Sequence, residues 1–261
     1  MTELVRSLRQ YTQARIGLGS AGQSLATVES LRLARDHALA RDAVHAPFAV
    51  DALETGARSL GHPAVIVRSR AHDRSTYLRR PDLGRQLHPE DLGSLSRLAK
   101  RPVAVVVADG LAPQAPGRHA LPVLRELAAR RPDLWSGIPV VFAHQGRVAL
   151  GDEIGEALQV RLVLVMLGER PGLSSPDSLG AYLTHGPKVG RTDAERNCVS
   201  NIRPEGLGYA AAAHAIDRLA QASLALGLSG VALKDDSVSE FGSADDGARL
   251  PIVSSTANIA S

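Results

Sequence analysis

Aromatic residues are nearly missing from this chain: Phe, Trp and Tyr make up 3% of its 261 residues. Its core must therefore be filled by aliphatic side chains, and the stacking platforms that hold single-stranded nucleic acid are not expected. Cysteine is as scarce. Cys198 stands alone, which excludes an internal disulfide and a cysteine-caged zinc and suits a reducing compartment. The nine histidines include no HExxH pair, so no metal site of the chain's own making is expected. No apolar run approaches the length needed to cross a bilayer, and MTELVRSLRQYTQ at the start reads as a charged helix, not a secretory signal. A formal charge of +3, with arginine spread along the chain, gives no nucleic-acid footprint. Together these absences point to a cytoplasmic globular protein without membrane or nucleic-acid partners.

What is present is an ordinary globular balance, 44% apolar and 22% charged. The first third reads as helical, over Leu4 to Tyr11, Leu25 to Ala43 and Phe48 to Leu60, and closes at the turn Gly61-His62-Pro63. The grammar then changes. Short aliphatic runs at Ala64 to Val67, Val103 to Ala108, Pro139 to Ala143 and Leu162 to Leu167 alternate with helix-like stretches at Glu90 to Ala99, Ala120 to Ala129 and Asp152 to Ala157. That alternation predicts an α/β fold: a Rossmann-like open, mostly parallel sheet with flanking helices and an N-terminal helical extension. A last helix fits Tyr209 to Leu226, stopped by Gly227. The expected organisation is a helical segment over 1–62, an α/β domain over 63–234 and a loose tail over 235–261.

Open α/β sheets bind ligands at the carboxyl ends of their strands, so the residues just past each aliphatic run are the first candidates for a site. Asp109-Gly110-Leu111 closes one run, Gly146-Arg147-Val148 comes after another, and Glu169, in Gly168-Glu169-Arg170-Pro171-Gly172, after a third. Asp109 reads equally as a carboxylate facing a ligand and as a turn aspartate. A carboxylate at Glu169 is placed to accept amide N–H groups through charge-assisted hydrogen bonds. An isolated cysteine such as Cys198 usually packs as a small hydrophobe, and its neighbours Asn197, Ser200 and Asn201 read as a turn or a ligand-lining segment. Thr76 to Arg85 is dense in arginine and suits either a solvated loop or a clasp for phosphate or carboxylate. Gly17 to Gly22 has the GxGxxG spacing of a dinucleotide loop, but no buried strand precedes it, and a plain glycine-rich connection is the simpler reading.

Longer motifs add to this. ARDAVH from Ala40, YLRRPDLGR from Tyr77, VVADGL from Val106, QGRVALGDEIGE from Gln145, GERPGLSSPDSL from Gly168 and DAERNCVSNI from Asp193 occur in order along the chain. In these motifs the sequence resembles the small (light) subunit of adenosylcobalamin-dependent ethanolamine ammonia-lyase, from Thr12 to about Ala213. The resemblance implies a hetero-oligomer with a larger barrel subunit and adenosylcobalamin held between the two. It also implies an ammonia-lyase reaction, a radical conversion of ethanolamine to acetaldehyde and ammonia, with the substrate-handling residues on the large subunit. Motif by motif, it carries cobalamin contacts to the backbone amide of Val148, to Glu169 and to Cys198. No histidine here sits in a DxHxxG motif, so the cofactor's own nucleotide base is expected to remain the lower cobalt ligand. The N-terminal extension that longer members use for bacterial microcompartment targeting is not seen, and a cytoplasmic and an encapsulated enzyme both stay open as readings. Two other readings stay open: a dinucleotide enzyme built on Gly17 to Gly22, and an assembly subunit that never touches cofactor.

Overall fold

A computed structural model describes residues 20–233 together with 7, 8, 11 and 15–18. The tail over 235–261 and most of the first expected helix lie outside the described residues. A two-residue hairpin, β1 (Ser20–Ala21) against β2 (Ser24–Leu25), comes first. Gly22 turns it at φ +66°. Part of the GxGxxG segment thus forms a hairpin and does not open a helix, which removes the strand-turn-helix frame that the dinucleotide reading requires.

Helix α1 (Thr27–His45) runs for 19 residues, of which only Ala43 is buried. Val28, Leu31 and Leu39 are each at least half exposed. Helix α2 (Val50–Ser59) instead presents Val50, Leu53 and Ala57 to the core. The main sheet comes next, with β3 (Ala64–Arg68), β4 (Val103–Ala108), β5 (Val140–His144), β6 (Leu162–Gly168), β7 (Leu179–His185) and β8 (Arg196–Ile202). Their order is β3-β5-β4-β6-β7-β8. The first four are parallel, and β7 and β8 are added antiparallel. This is the expected α/β architecture with a mixed edge. Every residue of β4 and β6 is buried, as strands covered on both faces must be.

Short α3 (Arg74–Arg79) and α4 (Leu92–Leu95) precede β4, and α5 (Gln114–Arg130) and α6 (Pro132–Trp135) come after it. Helix α7 (Leu150–Leu158) lies between β5 and β6, and α8 (Tyr209–Leu226) is the last long element of the described chain. Gly227 caps α8 at φ +73°, its N–H bonding Ser223 O at 2.9 Å. Residues of α2, α5, α6 and α8 share one core layer with Val105, Leu164 and Leu183 of the sheet. Leu95, Leu150 and Ile154 share the other with Val106 and Val165. Helix α5 is longer than its sequence suggested, starting at Gln114 despite Pro116 and with Pro122 inside it. An internal proline costs a helix about 3 kcal/mol. Ala115, Ala120, Val123, Leu124 and Leu127, all buried against the sheet, offset that cost. No helix among the described residues is long and apolar enough to cross a membrane.

Candidate functional site

The carboxyl ends of β4, β5 and β6 do meet on one rim, but the gap between them is packed shut. Asp109 is 1% exposed. Its two oxygens accept the N–H groups of Gln145 at 2.9 Å and Gly146 at 3.0 Å. Burial pushes its pKa up to about 6, against the lowering effect of the Gln145 amide and of Arg74. Of the two readings of Asp109, the structure selects the turn carboxylate: it holds the β5–α7 turn, in which Gln145 takes a left-handed φ of +55°. Behind it, Tyr77 lies between two guanidiniums, with Arg74 4.8 Å and Arg147 4.6 Å from its ring centre. On the other side Gly110, at φ +59°, brings its Cα so near β6 that a Cβ there would stand 2.3 Å from Gly168 O.

The open surface lies one step to the side. Glu169 leaves β6 half-buried, and its Oε2 accepts the Ser178 hydroxyl and the Asn201 N–H, the latter at 3.3 Å. Gly180 makes room for it: a Cβ there would be 2.9 Å from Glu169 Oε1 and 2.9 Å from Tyr182 Cε2. In register, Val165 of β6 pairs with Tyr182 of β7, and Tyr182 with Cys198 of β8. Tyr182 and Cys198 share a side-chain hydrogen bond. Cys198 is exposed, yet the atoms packed round its sulfur push the thiol pKa up, and the Tyr182 bond only partly opposes this. The run Arg196 to Asn201 is therefore mainly a strand, not the turn that its short polar residues suggested. Asn201 alone, at φ +58°, has a turn conformation.

Val148 reaches the same face from the first turn before α7. The hydrogen bonds of that turn run from Leu150 N–H to Arg147 O at 2.9 Å and from Gly151 N–H to Val148 O at 3.0 Å, and the Val148 N–H takes part in none of them. Helix α7 sits directly on β6, since a Cβ on Gly151 would stand 2.2 Å from Val165 Cγ2. Val148 and Tyr182 pack against the same apolar layer. Two strand spacings separate Val165 from Cys198, roughly 10 Å. Glu169, Tyr182 and Cys198 are thus in one contiguous group, with Val148 beside them on the same side of the sheet. The side chains of Asp152 and Arg196, each 2% exposed, tie α7 to β8 through two bonds of 2.7 and 2.6 Å. Thr184 Oγ1 takes a further bond from Arg196 at 2.8 Å. Burial works against the Arg196 charge and its carboxylate partner overcomes that, so the guanidinium pKa is held above its ordinary value.

Against this geometry stand the known proteins that the chain resembles. The family model described as ethanolamine ammonia-lyase light chain (EutC) matches residues 2–234. The chain belongs to that family. The ethanolamine ammonia-lyase small subunit of Azotobacter vinelandii is 52% identical over 237 residues, covering 88% of each chain. That of Ralstonia nicotianae is 50% identical over 236 residues, covering 88% of this chain and 87% of the relative. That of Pseudomonas aeruginosa PAO1 is 49% identical over 238 residues, covering 88% and 86%.

Tyr182, Gly180 and Arg196 do not stand out as functional in the sequence of this light chain. For Gly180 and Tyr182 the only sequence signal is the alternation of small or polar with apolar residues through Leu179 to Thr184, easily passed over beside the stronger aliphatic runs, while Arg196 lies inside DAERNCVSNI with nothing in that motif to mark its partner Asp152.

Proposed function

We propose that this chain is the small subunit of an ethanolamine ammonia-lyase and that it holds adenosylcobalamin against a larger barrel subunit. Bound there, the cofactor supplies the adenosyl radical chemistry that takes ethanolamine to acetaldehyde and ammonia. The observation that carries the reading is the open face of β7 and β8, bounded by the Glu169 carboxylate on one side and the start of α7 on the other. Corrin rings are edged with neutral amides, which need acceptors and donors at fixed points. Glu169 is an acceptor already oriented by Ser178 and Asn201. The Val148 N–H is a donor left over by its turn. Tyr182 and Cys198, paired across β7 and β8, lie on the face between them, and Gly180 leaves it free of a further side chain. The residues present therefore fit the group.

The chain's part is to position the cofactor; substrate conversion belongs to the large subunit. Helix α1 supports a partner as well. Only Ala43 of its 19 residues is buried, and helices of this size gain most of their stability from a packed face. A second chain over Val28, Leu31 and Leu39 supplies that face. Equilibrium binding of adenosylcobalamin to the reconstituted two-subunit complex, with the parent chain and with Glu169→Ala, tests the reading. Equal affinities for the two would overturn it.

A further inference from the structure

Beside Val148 the structure holds a cleft of about 430 Å³ that adjoins the open face of β7 and β8, with Arg196 of β8 in its wall. Arg85, Arg147, Arg191 and Arg196 line it, together with Val148, Thr192 and one carboxylate residue, Asp193. Two of these guanidiniums are already neutralised, Arg191 by Glu195 and Arg196 by Asp152. Asp193, whose side chain is fully exposed, reaches Arg196 Nε at 3.5 Å. Arg85 and Arg147 have no carboxylate partner among the described residues. Arg147 is held in place by stacking on Tyr77 and by a 3.1 Å bond to Tyr77 O, and its buried Nε makes no hydrogen bond. Arg85 comes from the arginine-rich stretch read in the sequence as a loop or a clasp. The turn after β5 brings Arg147 to meet it, with the Arg147 N–H bonded to Gly84 O at 2.8 Å.

We propose that this cleft binds a phosphodiester, the one in the nucleotide tail of the corrinoid. The inference rests on the cobalamin reading of the neighbouring face. Two unpaired planar guanidiniums facing one cavity are suited to a tetrahedral oxyanion, which accepts their N–H groups in pairs. The corrin's amide arms are uncharged, and the tail phosphodiester is the anionic group of the molecule. Val148 belongs both to the cleft and to the face that meets the corrin, so a ring held at Val148 brings its own anion within reach of Arg85 and Arg147.

The test compares adenosylcobalamin with adenosylcobinamide, which lacks the nucleotide tail, in equilibrium binding to the two-subunit complex. Arg85→Ala and Arg147→Ala are each expected to weaken adenosylcobalamin roughly tenfold, the loss of about one charge-assisted hydrogen bond, and to leave adenosylcobinamide unchanged. Arg147→Lys, which keeps the charge, is expected to recover part of the loss. Inorganic phosphate is expected to compete with adenosylcobalamin in the parent complex and to lose that effect in Arg85→Ala. Equal losses for both corrinoids, or none for either, overturn the proposal. Phosphate binding without effect on adenosylcobalamin assigns the cleft to free phosphate and overturns it too. Weaker subunit association without any corrinoid dependence assigns it to a partner's carboxylate, with the same consequence. Glu169→Ala separates the two readings: if it weakens both corrinoids while the arginine variants weaken neither, the cofactor face stands and the phosphate site falls.

Discussion

The carboxylate of Glu169 accepts the backbone N–H of Asn201 at 3.3 Å, joining the end of β6 to the end of β8 across the strand between them. That bond, with the Ser178 hydroxyl on the same oxygen, fixes the acceptor at the border of the open face before any ligand arrives.

Glu169→Ala is expected to lower adenosylcobalamin affinity of the two-subunit complex by about 1.5–3 kcal/mol, the usual worth of a hydrogen bond to a charged group. Gly180→Ala should lower it as well without removing any polar group, because its methyl would sit 2.9 Å from Glu169 Oε1. Isothermal titration of both variants checks this. Full affinity in Gly180→Ala would show that the position of the carboxylate is irrelevant to binding.

Asp152→Ala should destabilise the fold by about 3–5 kcal/mol, since it strands a guanidinium that is 2% exposed. The loss should appear as a lower midpoint in urea with little change in slope. A loss under about 1 kcal/mol, of the order expected for a surface pair, would mean that Arg196 finds water or another partner, and that the α7 to β8 tie is not structural.

Asp109 gives the fold a pH dependence of definite sign. Its pKa rises from 3.8 to about 6 on folding, so the folded chain holds this proton more tightly than the unfolded chain. Its stabilising contribution is complete below the unfolded value and is lost as pH rises through the folded one, by about 1.4 kcal/mol per pH unit between the two. Asp109→Asn cannot titrate and also gives up one of the two amide acceptors. The difference in unfolding free energy between parent and variant should therefore shrink from about pH 4 to pH 6 by this linkage. A difference constant across that window would show that folding leaves the Asp109 pKa unshifted.

Cys198 should alkylate more slowly than an unhindered thiol near neutral pH, because burial of its sulfur raises its pKa and reaction proceeds through the thiolate. Tyr182→Phe removes the hydrogen bond that lowers it, so the variant should react more slowly still. Iodoacetamide kinetics followed by mass spectrometry read both rates. A faster Tyr182→Phe would mean that the tyrosine shields the sulfur sterically and does not assist ionisation.

Legibility in the sequence depended on burial. Val103 to Ala108 and Leu162 to Leu167 announced themselves as strands because both of their faces are covered, so each position must be apolar. Leu179 to His185 and Arg196 to Ile202 did not, because one face of each is partly open and carries Gly180, Tyr182 and Thr184 or Arg196, Cys198 and Ser200. That mixture breaks the aliphatic signal and resembles a loop. The strand-end positions of Asp109 and Glu169 were readable from local sequence, whereas their different fates were not. Asp109 is sealed under a turn 36 residues further on, and Glu169 borders an open face.

By itself the sequence determined the alternation of elements, the strand ends and the family, since each is written in local order: aliphatic runs, turn residues and long motifs. Only the tertiary structure decided that Arg85 shares a cleft with Arg147, that Asp152 finds Arg196, and that Cys198 lies beside Tyr182 on a face with Glu169. These pairings join segments whose separation along the chain carries no trace of their contact, because sheet order and helix packing, which are properties of the whole chain, bring them together.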